Sequence, residues 1–179
     1  MIYNNPNING SNWPELNILE TLRKKNPLVI CITNDVVRTF TANGLLAIGA
    51  SPVMSECSED LKDLIVHASA LLINIGTVTP DKVTYYKEAV KLAKAHEVPI
   101  ILDPVGCHSG AYRLSVVLDL IKTNAISLLR GNQSEIKAIY DALNTNHKID
   151  SSLSGKGVDG EQVEDSAIIT YRLARQINC

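Results

Sequence analysis

Aromatic residues are scarce in this sequence: one Trp, one Phe and six Tyr make 4% of 179 residues. Proteins that bind single-stranded nucleic acid stack successive bases on aromatic rings, and this chain has few to offer. An excess of charge of either sign is also missing. Seventeen Lys and Arg stand against nineteen Asp and Glu, a formal charge of −2. That balance excludes the broad basic footprint that nucleic acid or an anionic membrane demands. Long apolar runs are lacking too. The longest mostly apolar stretch, Gly44 to Met54, falls short of the roughly 18 residues of a membrane span. The first ten residues, MIYNNPNING, have neither the basic start nor the apolar middle of a secretory leader. Four scattered cysteines (Cys31, Cys57, Cys107, Cys179) form no C-x-x-C pair. This argues against metal ligation or a disulfide framework and for reduced thiols in a cytoplasmic protein. No G-x-x-x-x-G-K-[ST] loop is present, so any ATP site must be of another kind.

What is present is the composition of a globular domain, 45% hydrophobic and 20% charged, with enough apolar residues for a core. The length suits a single domain. Strand-length apolar runs alternate with helix-length amphipathic stretches. LVICI (Leu28 to Ile32) is continuous and β-branched, as a strand buried on both faces should be. A helix is predicted from about Asp35 to Gly49, with Val36, Val37, Phe40 and Leu45 on or near one face. SPVM (Ser51 to Met54) reads as a second strand, and Ser58 as the N-cap of a helix with Glu59 and Asp60 in its first turn. ALLINI (Ala70 to Ile75) is a third strand, followed by Thr79-Pro80 as cap and first residue of a helix to about His96. VPIILDPV and AISLL supply the fourth and fifth strands, and Gly131-Asn132 opens a helix to about Leu143. A last helix is predicted from about Val163 to Ile177.

This order predicts an α/β fold with a mostly parallel sheet and helices on both faces. Residues 1–12 are expected to be a flexible N-terminus. Asn144 to Glu161, polar and rich in Gly and Ser, is expected to be a long connection that is functional or mobile. The final helix has no strand after it, although a crossover helix packs between two parallel strands. The sheet is therefore expected to be incomplete.

Parallel sheets bind ligands at the C-terminal ends of their strands. There the sequence places Thr33-Asn34-Asp35, Met54-Ser55-Glu56, Asn74-Ile75-Gly76-Thr77, Asp103-Pro104-Val105-Gly106 and Arg130-Gly131-Asn132, with Glu135 one turn on. Asn, Asp and Gly make turns in any protein, but five such loops with an Asp, an Arg and a Glu read better as the rim of a site. Asp103 and Glu135 could hold Mg²⁺ directly or through water, since this cation takes one or two carboxylates plus phosphate oxygens. Arg130 could pair with a phosphate through its guanidinium fork. The plainer readings are an Asp-Pro turn and a solvated strand end. GKGVDG (Gly155 to Gly160) fits G-x-G-x-x-G only formally, because it follows no strand. Cys107-His108 are neighbours in sequence, which does not make them nucleophile and base.

ITNDVVRTFTANGLLAIGASPVM (Ile32 to Met54), followed in order by ALLINIGT, ILDPVG, RGNQSEI and KGVD, resembles the hydroxyethylthiazole kinases of thiamine salvage. The likeness covers nearly the whole chain after about Pro27. It implies a ribokinase-like fold and a homotrimer with substrate sites at subunit interfaces. It also implies phosphorylation of the hydroxyethyl group of 4-methyl-5-(2-hydroxyethyl)thiazole, with ATP as co-substrate and Mg²⁺ as cofactor. By position, Met54 is similar to the family's thiazole-contacting methionine, with Asn34 and the Gly49-Ala50-Ser51-Pro52 turn nearby. Arg130 resembles the ATP-contacting arginine, and Asp103 and Glu135 the acidic residues associated with Mg²⁺ and phosphate. After DPVG the family continues with a small Gly-Ala-Thr run, where this chain has Cys107-His108-Ser109-Gly110. Family members also extend further, into an ATP-binding strand end and a Gly-rich loop with a catalytic cysteine. A chain of this length is thus expected to have little kinase turnover. The rival readings are a non-catalytic thiazole-binding or assembly subunit, and a kinase for another small alcohol.

Overall fold

Five short segments dominated by Ile, Leu and Val extend as β1 (Leu28–Ile32), β2 (Ser51–Met54), β3 (Ala70–Asn74), β4 (Ile100–Asp103) and β5 (Ile126–Leu129). The computed structural model that shows this describes residues 14–144 and 166–179. All four strand pairings are parallel, in the order β2-β1-β3-β4-β5. Among the described residues seven α-helices accompany them: α1 (Pro14–Lys25), α2 (Arg38–Ile48), α3 (Ser58–Ile65), α4 (Pro80–Ala95), α5 (Ala111–Ile121), α6 (Gln133–Asn144) and α7 (Ser166–Ile177). A 3₁₀ turn at Cys107–Ser109 leads into α5. The expected parallel α/β sheet is thus present.

Register separates the two faces. Ile30 pairs with Val53 and Leu71, and Leu71 with Ile100, which pairs with Ile126; Ile32, Ile73, Leu102 and Leu129 form the next row. Apart from Val53 on the edge strand, these rows build the main core together with α3 to α7. The intervening row, Met54-Cys31-Leu72-Ile101-Leu128, points to the opposite face. There Leu128 is 53% exposed. Crossovers from β2 to β3, β3 to β4 and β4 to β5 all run one way along the sheet, whereas β1 to β2 runs the other way. Right-handed crossovers therefore put α2 on the second face. Helices do occupy both faces, but unequally.

Local chemistry explains most element ends. Thr79 caps α4 as expected, its Oγ1 accepting from Lys82 N–H over 3.3 Å, with Pro80 in the first turn. Gly49 closes α2 at φ +96°, and a side chain there would also strike Arg23, with Cγ 2.6 Å from the added carbon. Several expectations need correction. Ser58 is the first residue of α3 and Cys57 stands at the cap, with no side-chain cap bond. The helix expected from Asp35 begins at Arg38, because Asn34 Oδ1 accepts from the N–H of Val36 and Val37 and folds residues 35–37 into a turn. Its apolar face does not enter the core: Val36 and Phe40 are 86% and 80% exposed, and α2 has no buried residue. Two helices, α1 and α5, stand where no element is predicted. Leu114, Val117, Leu120 and Ile121 carried the signal for α5 at helical spacing. The polar connection at 145–161, the N-terminal residues 1–12, GKGVDG and the first three residues of the predicted last helix lie outside the described residues.

Candidate functional site

The connection from β1 steps one way along the sheet and the later ones step the other way, which puts a topological switch point at the C-terminal ends of β1 and β3, the usual ligand position of a doubly wound sheet. Asn34 follows β1, and Asn74 ends β3. Both are buried. Asn34 Nδ2 donates to Asn74 Oδ1 over 2.8 Å, and Asn74 Nδ2 donates to Asp103 Oδ2 over 2.8 Å. Arg130 Nη1 closes the series on the same Asp103 oxygen at 3.0 Å. A polar chain thus crosses four strand ends, from β1 to the residue after β5. Burying amides and a carboxylate is tolerable only because each finds a partner here.

Electrostatics follow the same geometry. Burial pushes the Asp103 carboxyl above its ordinary value, and the Arg130 guanidinium and the Asn74 amide hold part of that rise back. The Arg130 side chain is 76% exposed, so its head can meet a ligand while one N–H serves Asp103. Oδ2 of Asp103 is taken twice, while Oδ1 carries no hydrogen bond among the described residues. One oxygen is therefore left for a hard cation.

Glu135 is buried in the first turn of α6. Its Oε1 accepts from Gly106 N–H over 2.8 Å and its Oε2 from Asn132 N–H over 2.9 Å, while Asn132 Oδ1 accepts from Glu135 N–H over 2.9 Å. This reciprocal cap fixes the start of α6 and ties it to the turn after β4. Met54 stands apart from the polar chain. It is half-buried at the end of β2, in register with Cys31. The sequence thus named Asn34, Asp103 and Arg130, which one chain of hydrogen bonds joins, and Glu135 and Met54, which lie outside it in the first turn of α6 and at the end of β2. It gave Asn74 no role of its own. The available signal was a polar residue ending an otherwise apolar strand, a position where burial is costly without a partner.

Gly76 matters by its size. A Cβ there would lie 2.6 Å from Asn34 Nδ2, and its N–H donates to Asn74 Oδ1 over 2.9 Å. Beside it, Lys82 Nζ donates to Thr77 Oγ1 over 2.9 Å and lies 3.5 Å from Asp35. Arg38 bridges Asp35 and Glu56, tying the loops after β1 and β2. A cavity of about 320 Å³ opens here, lined among others by Thr33, Ser55, Glu56, Thr79, Lys82 and Tyr85. A depression of about 420 Å³ against α1, lined by Ile18, Leu22 and Pro27, lies at the opposite end of β1 and has few polar groups.

Cys107 is a buried thiol pushed up to about 12 by desolvation, with Glu135 adding to the rise. It is no nucleophile at neutral pH. Neither ring nitrogen of buried His108 has a hydrogen-bond partner among the described residues. Among the described residues no group of three or more His, Cys, Asp or Glu gathers into a metal cage, and no described helix is long and apolar enough to cross a membrane.

Residues 19–179 match the family model described as the hydroxyethylthiazole kinase family. The chain is 54% identical over 154 residues to a hydroxyethylthiazole kinase of Streptococcus agalactiae, covering 86% of this chain and 57% of that protein. It is 49% identical over 159 residues to the enzyme of the same name in Streptococcus suis, covering 89% and 58%. The solved hydroxyethylthiazole kinase structure from Pyrococcus horikoshii OT3 is similar at a TM-score of 0.75 and 35% identity, covering 90% of this chain and 57% of that one. The chain spans under three-fifths of the length of these relatives.

Proposed function

The chain belongs to the hydroxyethylthiazole kinase family, and we propose that it carries the thiazole-binding part and part of the phosphate-binding part of a phosphotransferase site. The substrate is 4-methyl-5-(2-hydroxyethyl)thiazole, whose hydroxyl receives the γ-phosphoryl group of ATP. The observation that carries this reading is the chain Arg130-Asp103-Asn74-Asn34 across the strand ends. It joins a guanidinium that would pair with phosphate, a carboxylate that would meet the cation and the amides that wall the crevice. Positioning and charge stabilisation are nearly all that phosphoryl transfer asks of a protein.

Asp103 and Glu135 would hold Mg²⁺, Glu135 through water because both of its oxygens already accept backbone N–H bonds. The cation, when bound, neutralises charge on the phosphate oxygens. A small protein ligand set suits an ion that keeps several waters and phosphate oxygens of its own. Arg130 would bind the nucleotide phosphates through the N–H groups that Asp103 leaves free. Asn34 has its Oδ1 committed to two backbone N–H groups and its Nδ2 to Asn74, so its part is to shape the crevice more than to donate to the substrate. Met54, soft and apolar, would lie against the thiazole ring.

The exposed apolar side chains of Val36, in the turn before α2, and of Phe40 and Leu46, on α2, form the surface that copies of the chain would cover in a homotrimer, and α2 starts four residues past Asn34. Clustered exposed apolar residues mark such contacts. The test is titration of the purified chain with the thiazole alcohol by calorimetry, with and without ATP and Mg²⁺, alongside phosphate-transfer assays. Binding that weakens in Met54→Ala supports the reading. Binding of a different small alcohol in preference, or no binding by a folded trimer, overturns it.

A further inference from the structure

Arg113 lies in the first turn of α5, where the helix dipole disfavours a cation. It pairs with no carboxylate among the described residues. Its N–H groups go instead to main-chain carbonyls: Nη1 donates to Ile75 O over 3.0 Å and Val105 O over 3.1 Å, and Nη2 to Gly76 O over 2.8 Å. The two loops it joins are those after β3 and β4. At their roots they are already linked, Asn74 to Asp103 and Ile75 N–H to Asp103 O over 3.2 Å. Arg113 extends the link past the point where strand pairing ends.

Two of these carbonyls belong to peptide units whose N–H groups serve site residues. The Ile75–Gly76 unit accepts from Arg113 on its oxygen and donates to Asn74 Oδ1 on its nitrogen. The Val105–Gly106 unit accepts from Arg113 on its oxygen and donates to Glu135 Oε1 on its nitrogen. Each plane is held on both sides, by one shared guanidinium and by a different acidic or amide side chain. We propose that Arg113 is a positioning residue that sets the orientation of these two peptide units, and through them the Asn34-Asn74 wall and the Glu135 carboxylate. Its planar fork suits this task, since one group must reach carbonyls on two loops. The role in catalysis rests on the thiazole-kinase reading; the role in loop geometry does not.

The experiment compares the wild-type chain with Arg113→Lys and Arg113→Met by amide hydrogen exchange and by NMR of the Asn34 and Asn74 side-chain amides, without ligand. In Arg113→Met the Gly76 and Gly106 amides should exchange at least about tenfold faster, the scale of one lost buried hydrogen bond. Both Asn side-chain signals should shift, while the Leu72 and Ile101 amides and the exposed Asn43 side chain stay in place. Lysine, with its donors on one nitrogen, should restore one loop only. Where the wild-type chain binds the thiazole alcohol, its affinity should fall about tenfold or more in Arg113→Met. Unchanged exchange at Gly76 and Gly106 in a folded variant would overturn the proposal, as would unfolding of both variants, which would make Arg113 a global support. If the wild-type chain shows no affinity for the thiazole, the functional reading fails while the exchange result still decides this one.

Discussion

Asn34 and Asn74, forty positions apart, meet side chain to side chain at 2.8 Å beyond the ends of two adjacent parallel strands. Asn74 is the hub of the contact: its Oδ1 also accepts from Gly76 N–H, and its Nδ2 donates to Asp103. Replacing it by alanine leaves the Asn34 amide, the Gly76 N–H and one bond of a buried carboxylate without a partner. Asn74→Ala should therefore lower stability by about 2 kcal/mol or more, measured by denaturant unfolding. Loss of thiazole affinity should accompany it. A stability change near zero would mean that water replaces the amide and that the chain of hydrogen bonds is not rigid.

Gly76→Ala acts on the same contact by sterics. The added methyl would fall 2.6 Å from Asn34 Nδ2 and 2.8 Å from its Cβ and Cγ, a distance at which something must move. Asn34 has no slack, since its oxygen also fixes the turn at residues 35–37. Overpacking of this kind costs about 1–3 kcal/mol. The expected signature is a lowered melting temperature together with faster amide exchange at Val36 and Val37. Unaltered exchange there would show that the β3 loop moves away and Asn34 stays.

How much of this was legible beforehand depends on what each residue answers to. Strands β1 and β3 were readable because their β-branched, apolar runs respond to burial alone, and Thr79-Pro80 because capping is local chemistry. The start of α2 was not readable, since it is fixed by the side chain of Asn34, itself held by Asn74 from a distant strand. The exposure of Phe40 and Val36 was equally hidden: periodicity finds an apolar face without saying what covers it. Asp103 and Arg130 were visible as charges at strand ends. Their direct pairing required β4 to lie beside β5, and the link from Asp103 to Asn74 required β3 to lie beside β4.

Asp103→Asn separates stability from function. Burial raises the Asp103 carboxyl above its unfolded value despite Arg130, so the folded chain holds its proton more tightly than the unfolded chain. Folding stability is then highest with the group protonated and falls as pH rises from the ordinary carboxylate range through the raised one. An asparagine can still accept from Asn74 and Arg130 but carries no charge. At neutral pH the variant should melt at or above the wild-type temperature, and the difference should shrink as both are acidified. Mg²⁺-dependent nucleotide binding should be lost at every pH. A variant clearly less stable than wild type at pH 7 would mean that the Arg130 pair outweighs the burial.

Thiol labelling tests the burial pattern directly. Burial pushes Cys31 up to about 11 and Cys107 up to about 12, whereas Cys57 is exposed at the cap of α3. Alkylation needs thiolate and access together. At pH 8 an iodoacetamide reaction followed by peptide mass spectrometry should modify Cys57 first, with Cys31 and Cys107 modified only at the rate of unfolding. Fast labelling of Cys107 would reveal an open turn after β4.

His108 lies in that turn, in the segment Cys107-His108-Ser109-Gly110. The ring is buried and both nitrogens lack a partner among the described residues, so the folded state gives up their hydration with nothing in return there. An apolar side chain of similar length avoids that loss while still filling the space between the turn and the α5 and α6 helices. His108→Leu should therefore be neutral or stabilising, by about 1 kcal/mol, which for a chain of this size corresponds to a rise of about 2–4 °C in melting temperature. His108→Ala should go the other way by leaving a cavity. If the leucine variant melts lower than wild type, the ring nitrogens are bonded in solution, and the turn holds a water or a ligand group that the imidazole recognises.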